Sequence, residues 1–148
     1  MTLALDATYF GLLGRGVGAI LLYALLGALL MLLGFWAIDI TTPGALNRLV
    51  RDGKPGAVVV TSAGMISMAF IVVTAIWTSS GLLAEGLLSS LVYGLVGIIA
   101  QVGGVRLLEW VTGIRIGEVL AADELKPEAW VVAATHVALG LIVAVAVI

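Results

Sequence analysis

Histidine is the one side chain whose ordinary pKa lies near neutrality. This 148-residue chain has a single one, His136, set in the charge-free run that follows Glu128. On a helix starting at Glu128 it lies about 12 Å along the axis, at 1.5 Å per residue. There it shares a face with Ala129, Ala133 and Gly140, a small surface suited to close packing on a neighbour. Gln101, Thr61, Ser62 and Thr135 stand at comparable depths in apolar runs, and with His136 they are expected to form a polar layer. Two kinds of chemistry fit such a layer. One is a proton or cation relay. The other is a neutral imidazole hydrogen-bonded between helices, glue worth on the order of 1 kcal/mol. No Asp or Glu lies deep in an apolar run to pass a proton onward, and Ser and Thr can bond their own helix carbonyls. Glue is the favoured reading.

Three charges gather where apolar runs end: Asp39, Arg106 and Glu109. Arg106 and Glu109, three apart, are placed to pair along a helix or to snorkel to water. Asp39 and Glu109 are candidates for a two-fold acidic pair at a mouth, with ordinary interface solvation as the simpler account. Glu118, Asp123, Glu124 and Glu128, with Arg115 and Lys126, make 109–128 a candidate docking surface for a cytoplasmic protein, or a solvated face.

Much other chemistry is excluded. Without cysteine there is no disulfide, thiolate metal site or thiol nucleophile. One histidine cannot build a multi-ligand zinc site. No glycine-rich phosphate loop, nucleophile–base pair or buried carboxylate pair appears. A net charge of −2 gives nucleic acid no footprint. The expectation is therefore no enzyme, no cofactor, no metal and no nucleic-acid partner.

The elements that must position these residues follow from composition. The chain is 62% hydrophobic and 11% charged, with mean hydropathy +1.24, far more apolar than a soluble domain. No charge stands between Arg15 and Asp39, between Lys54 and Glu85, between Glu85 and Arg106, or after Glu128. A bilayer-crossing helix needs about 20 apolar residues, so the fold class is an all-α integral membrane protein. Four transmembrane helices are expected at 15–38, 57–77, 82–108 and 129–148, with Thr78-Ser79-Ser80-Gly81 as the turn inside the longest run. Trp36, Trp77, Trp110 and Trp130 fall near helix ends, where indoles prefer the headgroup level. Residues 1–14 are expected to be a retained outer segment, with Tyr9 and Phe10 at the headgroups. Loop 39–56 holds Arg48, Arg51 and Lys54, and the segment 106–128 around the second loop, 109–128, holds Arg106, Arg115 and Lys126; only Arg15 stands on the other side, which places both loops in the cytoplasm and both termini outside.

The halves of the chain also resemble each other. Tyr23-Ala-Leu-Leu-Gly27 pairs with Tyr93-Gly-Leu-Val-Gly97, Gly34 with Gly104, Asp39 with Glu109. Lys54-Pro55-Gly-Ala57 pairs with Lys126-Pro127-Glu-Ala129. Repeats 15–78 and 82–148, each of two helices, would run parallel about a pseudo-two-fold axis along the membrane normal. Gly27, Gly34, Gly94, Gly97, Gly103 and Gly104 suit close packing between them.

A two-span unit used twice, an acid closing its first helix, the Thr42-Pro43-Gly44 loop and Leu91-Val-Tyr-Gly-Leu-Val-Gly97 resemble the DUF350 family of small bacterial inner-membrane proteins. The resemblance covers the chain from about residue 16 onward. It implies a fold and a compartment, and a context near polyamine-synthesis-like or envelope-stress proteins, but no activity. Family members often carry Asn where Lys54 and Lys126 stand here, so no role is carried over from it. The leading functional expectation is a non-enzymatic inner-membrane subunit or scaffold, a homo-oligomer or part of a larger membrane complex. The alternative is a small channel or transporter for protons, cations or polyamines, with His136 and Gln101 in its path. A lipid-interacting envelope-stress component stands third.

Overall fold

The computed structural model describes residues 7–41, 45–79 and 82–148. The first six residues, the Thr42-Pro43-Gly44 loop and Ser80-Gly81 of the turn lie outside the described residues. Six helices follow one another: α1 (Ala7–Thr41), α2 (Leu46–Arg51), α3 (Pro55–Thr78), α4 (Leu83–Thr112), α5 (Ile116–Ala121) and α6 (Glu128–Ala146). Four of them, α1, α3, α4 and α6, are long and apolar enough to cross a membrane. No strand occurs among the described residues. Pro55 opens α3 in its first turn, where a missing N–H costs nothing. Gly113, at φ 71, closes α4 through its N–H to the Glu109 carbonyl, 2.9 Å, the left-handed stop that glycine supplies.

Helix α3 is the axis of the molecule and packs against every other helix. Its buried face is mostly small: Gly56, Ala57, Thr61, Ala63, Gly64, Ser67 and Ala75, with Ile71 and Met68 between. Helix α4 buries a single stripe, Gly86, Ser90, Gly94, Gly97 and Gln101, spaced at three and four so that it stays on one face. These positions are sockets. A side chain at Gly94 would strike Leu30 of α1 at 2.6 Å, and one at Gly97 would strike Ile71 of α3 at 2.5 Å. Among lipid tails there is no hydrophobic gain from burying leucine against protein, so this knob-in-socket packing is what holds the helices together.

Contacts between α1 and α4 pair Leu30 with Gly94, and contacts between α1 and α3 pair Gly34 with Met68 and Gly27 with Val72. α1 therefore runs alongside α4 and opposite to α3, and α6 runs with α3. The short helices α2 and α5 sit together at one end, the loop end. Their apolar residues Leu46, Ile116, Val119 and Leu120 join Ala57, Val60, Ala129 and Val132 in a buried cluster. A second cluster, Leu30, Met68, Ile71 and Val72, lies deeper in the bundle.

The opposite end is different. Tyr23 of α1 meets Gly86 in the first turn of α4, and α3 has ended by Thr78. Residues 7–19 have therefore outrun the other spans by about 20 Å. Beyond that level, side chains added at Gly11, Gly14, Gly16 or Gly18 would meet nothing within 4 Å.

Several boundaries differ from the sequence reading. α1 begins at Ala7 rather than 15, because Thr8 to Gly14 contain nothing that breaks a helix, so the outer segment is in large part a continuation of the first span. Each loop holds a six-residue helix, and 109–112 belong to α4. The order long, short, long runs twice, yet the principal contacts are not symmetric: α4 packs along both α3 and α6, while α1 packs along α3 and α4.

A buried polar ring and its flanking charges

Ser67, Gln101 and His136 come from α3, α4 and α6 and meet at the bundle centre, 0%, 2% and 1% exposed. The Ser67 hydroxyl donates to the His136 carbonyl at 2.6 Å. Gln101 Nε2 donates to Ser67 Oγ at 2.7 Å, and His136 Nδ1 lies 3.1 Å from Gln101 Oε1. These three bonds close a ring with one consistent direction. A backbone carbonyl only accepts, so the Ser67 proton must point at it. Ser67 Oγ must then accept from the Gln101 amide nitrogen, which turns the amide oxygen towards the imidazole. Nδ1 is therefore the donor, and in the neutral ring Nε2 carries a bare lone pair. Gly140 makes the ring possible. The amide one turn after His136 sits beside the carbonyl that Ser67 reaches, and any Cβ at Gly140 would collide with the Ser67 side chain and with its Cα at 2.9 Å. On the other side a Cβ at Gly64 would be in ordinary contact with His136 Nδ1 at 3.8 Å, and the tight neighbour there is Ile38 Cδ1 of α1 at 3.2 Å.

His136 Nε2 is buried with no hydrogen-bond partner among the described residues, and so are Thr61 Oγ1 and Ser90 Oγ. His136 lines a cavity of about 20 Å³ with Val60, Val102, Val132 and, towards the loop end, Arg106 and Glu109. Thr61 lines a smaller void of about 10 Å³ with Met31, Met65 and Met68. This threonine is unusual here, since Thr74, Thr78, Thr112 and Thr135 all donate to carbonyls of their own helices.

The structure thus brings His136 and Gln101 of the expected layer together. It places Thr61 buried but outside the ring. Ser62 is exposed, off the face of α3 that buries Thr61, Gly64 and Ser67. Thr135 bonds Val131 of its own helix at 2.9 Å and takes no part. Ser67 is the member that sequence reasoning left out of the layer. Its signal was the Gly140 spacing: a small residue one turn beyond a buried histidine leaves that histidine's carbonyl open to a donor.

The flanking charges close local structure. Arg106 and Glu109 pair along α4 at 2.7 Å. Glu109 Oε1 also accepts from the Ile116 amide at 3.2 Å, and Asp39 Oδ1 accepts from the Asn47 amide at 3.3 Å. Each acid therefore satisfies a free amide in the first turn of the short helix that follows it. Arg115 pairs with Glu118 at 2.7 Å. Lys54, at the start of α3, pairs with Asp123 of the loop before α6. That hydrogen bond, and then the ammonium charge, hold the Asp123 carboxyl below its ordinary range. Among the described residues no group of three or more His, Asp or Glu side chains is placed to hold a metal ion.

Comparison with known proteins agrees with this architecture. The family model described as Domain of Unknown Function (DUF350) matches residues 12–147. A UPF0719 transmembrane protein of Mycolicibacterium paratuberculosis is 38% identical over 136 residues, covering 90% of this chain and 89% of that protein. UPF0719 transmembrane proteins of Mycobacterium bovis and Mycobacterium tuberculosis are each 36% identical over 133 residues, covering 89% of this chain and 88% of theirs. No solved structure matches the chain.

Proposed function

This chain belongs to the DUF350 family of multi-pass transmembrane proteins, and on that premise we propose that it is a non-enzymatic subunit of the bacterial inner membrane that works by packing α1 against a second copy. The α1 overhang is the observation that carries the reading. Its exposed surface includes Phe10, Leu12, Leu13 and Val17, which water would not tolerate bare. One face holds Gly11, Gly14 and Gly18, with no atom of the described residues within 4 Å of their Cβ positions. Gly14 and Gly18 stand four apart, the spacing that lets two membrane helices approach backbone to backbone. Arg48, Arg51, Lys54, Arg106, Arg115 and Lys126 at the loop end, against Arg15 on the overhang, support loops in the cytoplasm and termini outside. The loop of 109–128 is then a second, cytoplasmic docking surface.

A transport path asks for a continuous wet route, whereas the voids at His136 and Thr61 have room for about one water each at most. The absence of cysteine makes the test clean. Single cysteines at Gly14 and Gly18 should cross-link into a homodimer in oxidised membranes. Cysteines at Leu12 and Ile20, on the far side of α1, should not. Cross-linking that ignores helix face, or joins only to another protein, overturns self-packing. Aqueous labelling of cysteines at Thr61 and Gln101 would instead favour the channel.

A further inference from the structure

We propose that the cavity beside His136 is a binding site for one neutral, water-sized hydrogen-bond donor, water itself, held by the Nε2 lone pair and entered from the loop end past Arg106 and Glu109. The polarity of the ring carries the argument. Because Ser67 must donate to a carbonyl, Nδ1 must donate to Gln101, and Nε2 is left as an acceptor. That acceptor is fully buried without a partner among the described residues, a costly state when no donor reaches it. Of the ring, His136 lines a cavity of about 20 Å³, enough for one water centre and too little for a larger ligand. Its walls are otherwise Ile38, Val60, Val102, Val132 and similar apolar side chains, which favour a neutral occupant over a cation. Arg106 and Glu109 line the same cavity on its loop-end side, the side from which water reaches it.

The site gives the ring two unlike sides. Towards the loop end, His136 shares the cavity with Arg106 and Glu109. Towards the termini, Ser67, Gln101 and the Gly140–Ser67 contact seal it. This holds whether or not the chain self-associates.

The lone histidine makes the site readable in the intact protein. In lipid bilayers, well above the ordinary histidine pKa, protein labelled with 15N-histidine should give solid-state NMR signals of a protonated Nδ1 and an unprotonated, hydrogen-bonded Nε2. Magnetisation should transfer from water protons to Nε2. Val132→Leu, which fills the cavity, should remove that transfer and keep the tautomer. A proton on Nε2 with Nδ1 bare would overturn the proposal, as would the expected tautomer with no transfer from water. Displacement of the water signal by millimolar ammonium would overturn it too, by making the occupant a cation.

Discussion

At the loop end, two six-residue helices fold under the spans, bury Leu46, Ile116 and Leu120, and are pinned by Lys54 to Asp123. At the other end α1 runs on past the described ends of the other spans for some four turns, with no atom of the described residues within 4 Å of a Cβ at Gly11, Gly14, Gly16 or Gly18. The contrast recurs along the helices themselves. Of the most apolar window of α3, 56% is buried inside the protein, and of that of α1 only 6%. In water such a helix would be a defect; in a bilayer it is a helix whose neighbours are not yet specified by its own chain. The loop end is finished by intramolecular contacts, and the overhang is where an external surface is required.

Substitutions can break this contrast from either side. The largest effect should come from Gly56→Val, at the loop end. A Cβ at Gly56 would lie 2.6 Å from the Val119 carbonyl oxygen, and two backbones must separate to admit it. A loss of about 3 kcal/mol is expected, read as a lowered unfolding midpoint in detergent. Next is Gly140→Ala in the ring, which pushes Ser67 off the His136 carbonyl and should cost about 2 kcal/mol. A control at the exposed Gly103, where a Cβ meets nothing within 4 Å, should cost far less by the same assay. At the overhang the order reverses. Gly14→Leu and Gly18→Leu should leave monomer unfolding unchanged while weakening self-association about tenfold, roughly 1.4 kcal/mol, as seen by dilution in detergent.

The smallest effect belongs to the exposed pair. Since Lys54 depresses the Asp123 pKa, the pair contributes in full above the ordinary aspartate value of about 4 and fades as pH falls through the depressed one. Wild type should therefore lose a small increment of stability in acid that Asp123→Asn does not. An equal acid response in both would remove the pair from the account of the loop end.

Spans and loops were legible because charge-free length is a one-dimensional property. Asp39, Lys54, Glu85 and Glu128 fall within two residues of a helix end, whereas Arg15 and Arg106 lie inside α1 and α4, which run on past the charge. The ring was only half legible. His136 and Gln101 announce themselves as polar groups in apolar runs, but the choice among Thr61, Ser62 and Ser67 depends on how α3 is rotated against α4 and α6, which one helix's sequence does not encode. The α4 stripe was present in the letters as Gly86, Ser90 and Gly94, each four apart, and was obscured by attention to Gly103, which faces outward with nothing near it. The overhang was missed because hydropathy measures whether a residue leaves water, not whether the neighbouring helices extend far enough to accompany it.

The direction of the hydrogen-bond ring has a consequence for the order in which the chain is built. Ser67 and Gln101 belong to helices made early and can bond each other as soon as α3 and α4 stand side by side. The His136 carbonyl and Nδ1 arrive only with α6, which is made after both. Until then the Ser67 proton and the Gln101 amide oxygen lack these partners inside the membrane. Helix α6 thus meets a half-made lock that accepts it at one height: a slip of one turn, about 5.4 Å, breaks both of its bonds at once. The ring so acts as a check on the height at which α6 joins α3 and α4.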